Sequence, residues 1–523
     1  MIRDLVLNQT PDQQGNADVL VIGGGIAGLL VATRLARAGR KVIVAESGGL
    51  AQIGETHPLN EVEQLGDIYS GAEHGRFRCL GGTSTRWGGA MLPFQPIDLA
   101  EHGSAWSSTG WPIPLNTLTD HQGEIELLFG LKSGPYDFPE IMPGLDGGPG
   151  LSLARLAKWP AFKLRNLASL LREDIESGKG PEIWLNATAT HFAFEPSGLL
   201  AKVEMRSHNG RTLSVAATQT VVAAGAIEST RLLLLADHQN GDRIFAPDGV
   251  LGRYFYDHLS VATGKLVDPR RKELNRLVGF RFEGTTMRNL RFEPTAYSRA
   301  ELTLPAAFVH IAFATDNPGG FDALRDVYRK IQRREKPSVR DIVKLSFALP
   351  WLSRAAWWRL VEKRLLFPDN ADLEIHVVIE QEPNVGNRIS LSSRRVDMHG
   401  CPIASVDWRV NQSDAGNLVA TTKAFLDAWN TGPLADLAQA QLNLPQDPRN
   451  ALAQGGGIYH PGGSVRMGVD ASGGVVDGEL RVFRVPNLSV VSTAAFPRGG
   501  GANPTMMLMM AAMRAADRIA RNW

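Results

Sequence analysis

One strand–turn–helix signature constrains this chain more than any other feature. In Val19-Leu-Val-Ile-Gly-Gly-Gly-Ile-Ala-Gly28, four apolar residues run into a glycine turn, after which Ile26 to Ala38 continues at helical spacing and stops at Gly39. Lys41 to Ala45 reads as the next buried strand, which completes a parallel βαβ unit. In Gly23-x-Gly25-x-x-Gly28 the first glycine permits the turn, the second lets the backbone approach a pyrophosphate, and the third allows close packing of helix on strand. The exposed N–H groups of the helix N-terminus would meet the phosphates. Glu46 ends the second strand eighteen residues after Gly28, where a carboxylate can accept from a ribose hydroxyl. An acid at that point disfavours a 2′-phosphorylated cofactor, and leaves both NAD and FAD open.

The rest of the composition narrows the class. A chain of 523 residues is too long for one hydrophobic core, so two domains or one interleaved architecture are expected. The formal charge of +1 offers no global attraction to nucleic acid or to an anionic membrane. Cys79 and Cys401 are too few for a thiolate cluster or a disulfide framework, and two unpaired thiols point to a reducing, cytoplasmic setting. Met1 to Asn16 lacks the basic start and apolar run of a secretory signal. No stretch reaches the roughly 20 apolar residues that span a bilayer, because the run after Pro504 is broken by Arg514, Asp517 and Arg518. A soluble protein is expected.

Further strands are predicted at Glu182 to Leu185 and Thr220 to Ala224, the latter passing through Gly225 into a helix that ends near Leu235. Leu373 to Gln381, Arg388 to Leu391 and Ile403 to Trp408 suggest a second sheet-rich region. Ser133 to Gly150, with Asp146-Gly-Gly-Pro-Gly, reads as a loop or boundary. From Arg325 to Arg364, twelve Lys or Arg stand against four Asp or Glu, with Trp351, Trp357 and Trp358 interleaved. The simplest reading is a pair of surface helices whose aromatics pack inward while the charges face water. A lid, an oligomer contact and a peripheral membrane surface are the alternatives.

Arg78-Cys-Leu-Gly-Gly-Thr-Ser-Thr-Arg-Trp-Gly-Gly89 combines four glycines with small hydroxyl residues, a loop able to lie against a flat ring with backbone donors facing it. Together with the βαβ unit, this loop resembles the glucose–methanol–choline (GMC) family of FAD oxidoreductases, particularly its pyranose oxidase branch. The resemblance recurs at Val221-Val-Ala-Ala-Gly-Ala-Ile-Glu-Ser229, at Gly252-Arg-Tyr-Phe-Tyr-Asp-His258, at Glu380 to Arg388, and at Val475-Val-Asp477 with Asn487 to Val491. It is poor over 110 to 180 and 300 to 370, where substrate choice is expected to lie. The implied fold is α/β: a Rossmann-like FAD-binding domain, discontinuous over 1–105, 181–260 and 455–523. An α+β substrate domain on an antiparallel sheet takes 106–180 and 261–454, with the basic Trp-containing helices at about 325–364.

The resemblance also implies the site. FAD contacts are expected from Gly23, Gly25, Gly28, Glu46, Arg78, Gly82, Thr83, Ser84, Trp87, Gly88, Gly89, Ala224, Gly225, Ala495, Asn503, Pro504 and Thr505. That branch commonly carries a flavin-linked histidine where this chain has Arg86, so dissociable FAD is expected. Arg86 would then favour an anionic reduced flavin, bind substrate, or simply pair with an acid. Family members place an essential histidine in a segment like Tyr459-His460-Pro-Gly-Gly-Ser and a His or Asn where Asn503 stands. An imidazole titrating near neutrality suits removal of a hydroxyl proton, and a carboxamide N–H suits the developing alkoxide. His258 is read as structural and the Met506 to Met513 run as helical core, with no metal site. The expected reaction is oxidation of an alcohol, on a sugar, glycoside or polyol, with an electron acceptor of undetermined type: oxygen, quinone or carrier protein. Oxidation of a sterol-like or aromatic alcohol, with a membrane-docking lid, and a non-catalytic flavin-binding subunit are the alternatives.

Overall fold

The computed structural model describes residues 1–8, 10, 12–52, 54–100, 110–137, 153–245, 249–314, 320–332, 336–368 and 371–522. The predicted boundary at 105 and most of the loop 133–150 lie outside the described residues.

Five parallel strands form the centre of the first sheet, in the order Ile2–Asp4, Glu182–Leu185, Val42–Ala45, Asp12–Ile22 and Thr212–Val222. Val19 to Ile22 and Val42 to Ala45 are all buried, as continuous apolar runs covered on both faces must be. Thr212–Val222 continues on its other edge in two ways. Its first half pairs antiparallel with Leu200–Arg206, which pairs in turn with Thr188–Phe194, and its last residues pair parallel with Leu488–Val490. The helices Ile26–Arg37 and Thr505–Arg521 pack together beside this sheet, so the first and last segments of the chain share one core. Met506, Met507, Met509, Met510 and Met513 are buried in that core, as expected of a helix interior.

The second sheet is antiparallel throughout: Arg281–Glu283, Thr286–Glu293, Ala307–Ala314, Asp372–Glu380, His258–Val267 and Gln439–Leu442, with Leu153–Trp159 also on Thr286–Glu293. The long helix Gln412–Thr431 buries Leu418, Phe425 and Trp429 in the core of this sheet. Arg388–Val396 and Pro402–Trp408 do not join it, although the sequence groups them with Asp372–Glu380. They form a separate small sheet with Val62–Gly66, a strand whose periodicity is too short to stand out.

Within the basic segment the structure has helices Gly320–Gln332, Val339–Phe347 and Leu349–Trp357, followed by a π-helical turn at Trp358–Glu362. Trp358 is buried and Trp351 packs edge-on to Phe321, as expected. Trp357 does not turn inward, and the two later helices contain no buried residue.

Candidate active site

The glycine turn forms one wall of a cavity of about 1160 Å³. Gly23 has φ +109°, and a Cβ there would meet the Ala223 carbonyl oxygen at 2.6 Å. At Gly28 a Cβ would fall 1.9 Å from the Gly23 carbonyl oxygen, so the helix can press onto the turn only with hydrogen in that place. The opposite wall repeats the device, since a Cβ on Gly82, at φ +53°, would come within 2.8 Å of the Gly25 Cα. Gly25 caps the helix without a side-chain partner, and no acid stands in its first turn. The orphan N–H groups of that turn therefore remain available to an anion. Glu46 borders the cavity and accepts from the backbone N–H of Gly24 at 2.7 Å and of Gly48 at 2.8 Å. These walls suit an extended dinucleotide: room for phosphate against bare backbone, and an acid for a ribose.

Ten of the residues expected from the sequence border this cavity: Gly23, Gly25, Glu46, Gly82, Thr83, Ala224, Gly225, His460, Pro504 and Thr505. The others stand elsewhere. Arg78 is a correction: its guanidinium is buried in bonds to Asn60 Oδ1, Ser47 Oγ, the Leu59 carbonyl and Glu228 Oε2, tying the loop to the helix Ala226–Gln239. Ser84 donates to the Gly81 carbonyl and accepts from Leu167 N–H, while Trp87 donates to the Arg165 carbonyl. Gly88 and Gly89 lie against Trp159 and Arg165, and Ala495 is buried behind Ser492 and Thr493, which do border the cavity. Gly28 supports the turn from beneath. The sequence reading passed over Arg76, a cation on the cavity wall that removal from water and neighbouring Arg78 bring down to about 9. It stands two residues before a motif that was read as starting at Arg78.

His460 and Asn503 meet, with 3.0 Å between His460 Nε2 and Asn503 Nδ2. Around them runs a chain of hydrogen bonds whose direction is forced. The Gly500 carbonyl can only accept, so His258 Nε2, 2.7 Å away, carries a proton and a neutral His258 leaves Nδ1 as an acceptor. His460 Nδ1, 3.2 Å from that atom, is then the donor. That leaves the lone pair of His460 on Nε2, where the Asn503 amide donates. The Asn503 carboxamide is oriented in turn by Arg291 Nη2, which donates to its Oδ1 at 2.9 Å. Desolvation first, then His258 and Arg291, hold His460 well below the ordinary histidine range, and burial lowers His258 as well. Both rings are therefore neutral at pH 7, and the basic nitrogen of His460 is Nε2.

Asp257 fixes the backbone of both histidines. Its Oδ1 accepts from His258 N–H at 2.6 Å and His460 N–H at 2.8 Å, and its Oδ2 from the Tyr69 hydroxyl at 2.6 Å. Burial pushes its carboxyl up to about 7 against these donors. Asp257, His258 and His460 bring ligand-type atoms within 4.8 Å of one another, and each of those side chains is engaged in the bonds just described. His258 is thus in direct contact with His460, a partnership that the sequence reading did not assign. Its only signal was an acid and a histidine adjacent at the end of a tight turn. Arg291 had a subtler one: a charge inside the otherwise buried strand Thr286–Glu293, where it now stands 4 % exposed with its guanidinium 3.9 Å from the Phe308 ring centre.

Comparison with known proteins agrees with a dinucleotide-binding fold. Residues 18–57 match the FAD binding domain model and residues 383–512 the GMC oxidoreductase model. The chain is 24 % identical to 6'''-hydroxyparomomycin C oxidase of Streptomyces lividus, over 96 % of its own length and 91 % of the relative's. It is 23 % identical to 2-methyl-1,2-propanediol dehydrogenase of Mycolicibacterium austroafricanum, over 97 % and 95 %. Its fold matches that of pyridoxine 4-oxidase from Mesorbium loti with a TM-score of 0.59 at 16 % identity, covering 96 % of this chain and 99 % of that one. With a glycine cradle for the dinucleotide at one end of the cavity and an imidazole–carboxamide pair at the other, the chain resembles the GMC oxidoreductases, whose model it matches over residues 383–512, and is an FAD-dependent oxidoreductase that acts on alcohols.

Proposed function

We propose that the substrate is a polyhydroxylated small molecule, a sugar, glycoside or polyol, and that His460 and Asn503 carry the reaction. The observation on which this rests is the 3.0 Å pair in which His460 Nε2 is unprotonated and faces an amide donor. A carbinol hydroxyl seated between the two donates to Nε2 and accepts from Asn503 Nδ2–H. His460 then takes the proton while the carboxamide holds the oxygen as charge develops on it. Bound FAD supplies the hydride acceptor. Pro504 and Thr505 place the N-terminus of the last helix on the cavity wall, where its dipole favours negative charge. Two relatives named for a hydroxylated paromomycin and a propanediol support a substrate with several hydroxyl groups. An electron acceptor completes the cycle.

The FAD is held without a covalent bond, because Arg86 occupies the position of the linking histidine and its guanidinium lies over the Phe77 ring at 5.3 Å. Acid precipitation is expected to release all the flavin into the supernatant; flavin that stays with the protein pellet would contradict this. For the catalytic pair, the native protein and His460→Ala are mixed anaerobically with a panel of sugars, polyols and apolar alcohols. Bleaching of the flavin band by polyhydroxylated compounds is expected for the native protein. The variant is expected to bind flavin equally and bleach on the order of 10²–10⁴ times more slowly. Undiminished bleaching would remove His460 from its role, and preference for apolar alcohols would remove the sugar assignment.

A further inference from the structure

The helical segment after residue 320 combines two features that ordinary surface helices keep apart. Its large apolar side chains point into solvent: Val339 is 78 % exposed, Phe347 83 %, Leu360 74 % and Trp357 59 %, with Ile342 and Leu349 beside them. Exposed cations are interleaved with them at Arg340, Lys344, Arg359 and Lys363. The two acids between Val339 and Lys363 are neutralised, Asp341 by Lys330 at 2.6 Å and Glu362 by Arg276 at 2.6 Å. The charge is also local. Residues 325–364 carry twelve Lys or Arg and four Asp or Glu, whereas the other 483 residues carry 43 and 50. A near-neutral molecule is thus polarised, with its positive pole on its most apolar exposed helices.

We propose that this segment is a docking surface for an anionic lipid bilayer. Apolar side chains of this size on neighbouring helical turns, flanked by Lys, Arg and an exposed Trp, match what an interfacial helix inserts at the headgroup boundary. A protein partner fits less well, since charged residues are depleted from the core of protein interfaces, whereas Arg340, Lys344, Arg359 and Lys363 stand among these apolar side chains. The surface is firmly mounted: Phe321 packs on Phe313 and Trp351, and Trp358 is buried beneath the turn. Phe313 lies on the strand Ala307–Ala314, which also carries the Phe308 ring under Arg291, so the docking helices and the catalytic cluster are built on one strand. No helix among the described residues is long and apolar enough to cross a membrane.

The test is co-sedimentation of FAD-loaded protein with two sets of vesicles, pure phosphatidylcholine and a three-to-one mixture of phosphatidylcholine with phosphatidylserine. Native protein is expected to sediment with the mixed vesicles, less with the neutral ones, and to be released as salt rises. Arg340→Ala with Lys344→Ala should weaken binding to the mixed vesicles about twenty-five-fold, roughly five-fold for each cation. Phe347→Asp with Leu360→Asp should abolish binding to both. Both double variants should keep the flavin spectrum and the rate on a water-soluble alcohol; should the aspartate pair disturb folding, the alanine pair decides alone. Absence of native binding to either vesicle, or equal binding by native protein and the alanine pair, overturns the proposal. So does a native dimer in light scattering that ignores vesicles and is split by the aspartate pair, which would give this face to a second copy.

Discussion

The two ends of the cavity are built by opposite strategies. The dinucleotide end is a local structure in which Gly23, Gly25 and Gly28 sit within six residues and act through what they lack, since a Cβ at Gly28 would fall 1.9 Å from a backbone oxygen. The proposed catalytic end gathers Tyr69, Asp257, His258, Arg291, His460, Asn503 and the Gly500 carbonyl, groups that bond one another. A steric requirement is all or none, whereas a hydrogen-bonded network can be weakened link by link. Lesions at the two ends should therefore have different signatures: loss of flavin at one, loss of rate with flavin retained at the other.

The largest effect is expected at the glycines. Gly28→Val would drive its Cβ into the Gly23 backbone, and the purified protein should lack the visible flavin band of the native enzyme. A yellow Gly28→Val protein would break the contrast. Next comes Asn503→Ala, which removes the proposed donor to the alkoxide but leaves the cradle whole. Flavin content should be unchanged while flavin reduction slows about 10²–10³-fold in stopped-flow traces.

Arg291→Met is expected to fall below that. It deletes a charged hydrogen bond to the Asn503 carboxamide and lets the amide rotate, at about 1.5–3 kcal/mol, or roughly ten- to a hundred-fold in kcat. A double variant with Asn503→Ala should add little further loss, because Arg291 acts through the amide. Full additivity would mean that Arg291 touches substrate itself.

The smallest change sharpens the comparison through pH. The proposed mechanism needs His460 unprotonated, so on that mechanism activity falls as pH drops through its pKa. Because that pKa is held well below 6.5, the acid limb of kcat/KM for the native enzyme should lie well below pH 6.5. His258→Ala removes one of the groups that lowers it, and the limb should move to higher pH, toward the ordinary histidine value. A limb that stays in place would show that burial and Arg291, not His258, set the base.

How far the sequence could be read follows the same division. The helix predicted from Ile26 to Ala38 forms over Ile26–Arg37, and the strand predicted at Glu182 to Leu185 forms at those residues. The strand placed at Thr220 to Ala224 is the end of the longer Thr212–Val222, whose earlier polar positions hide its extent. Arg78 shows the limit of motif reading: it stands in the flavin-loop motif, yet its guanidinium is spent on Glu228 and three oxygens behind the loop. In the basic segment, the sequence counted the charges correctly but turned Trp357 inward, because periodicity cannot say whether a face has something to pack against.

Chain chemistry alone determined the glycine cradle and the buried parallel strands, whereas the imidazole and carboxamide were singled out by the resemblance to GMC enzymes. Backbone sterics and apolar runs act over a few residues and so are written in order. Tertiary structure decided which nitrogen of His460 is basic, since that depends on a carbonyl at Gly500 reached through His258, and on Arg291 from a strand more than two hundred residues from Asn503. Hydrogen-bond direction depends on which donors and acceptors meet in space, and no spacing along the chain encodes it.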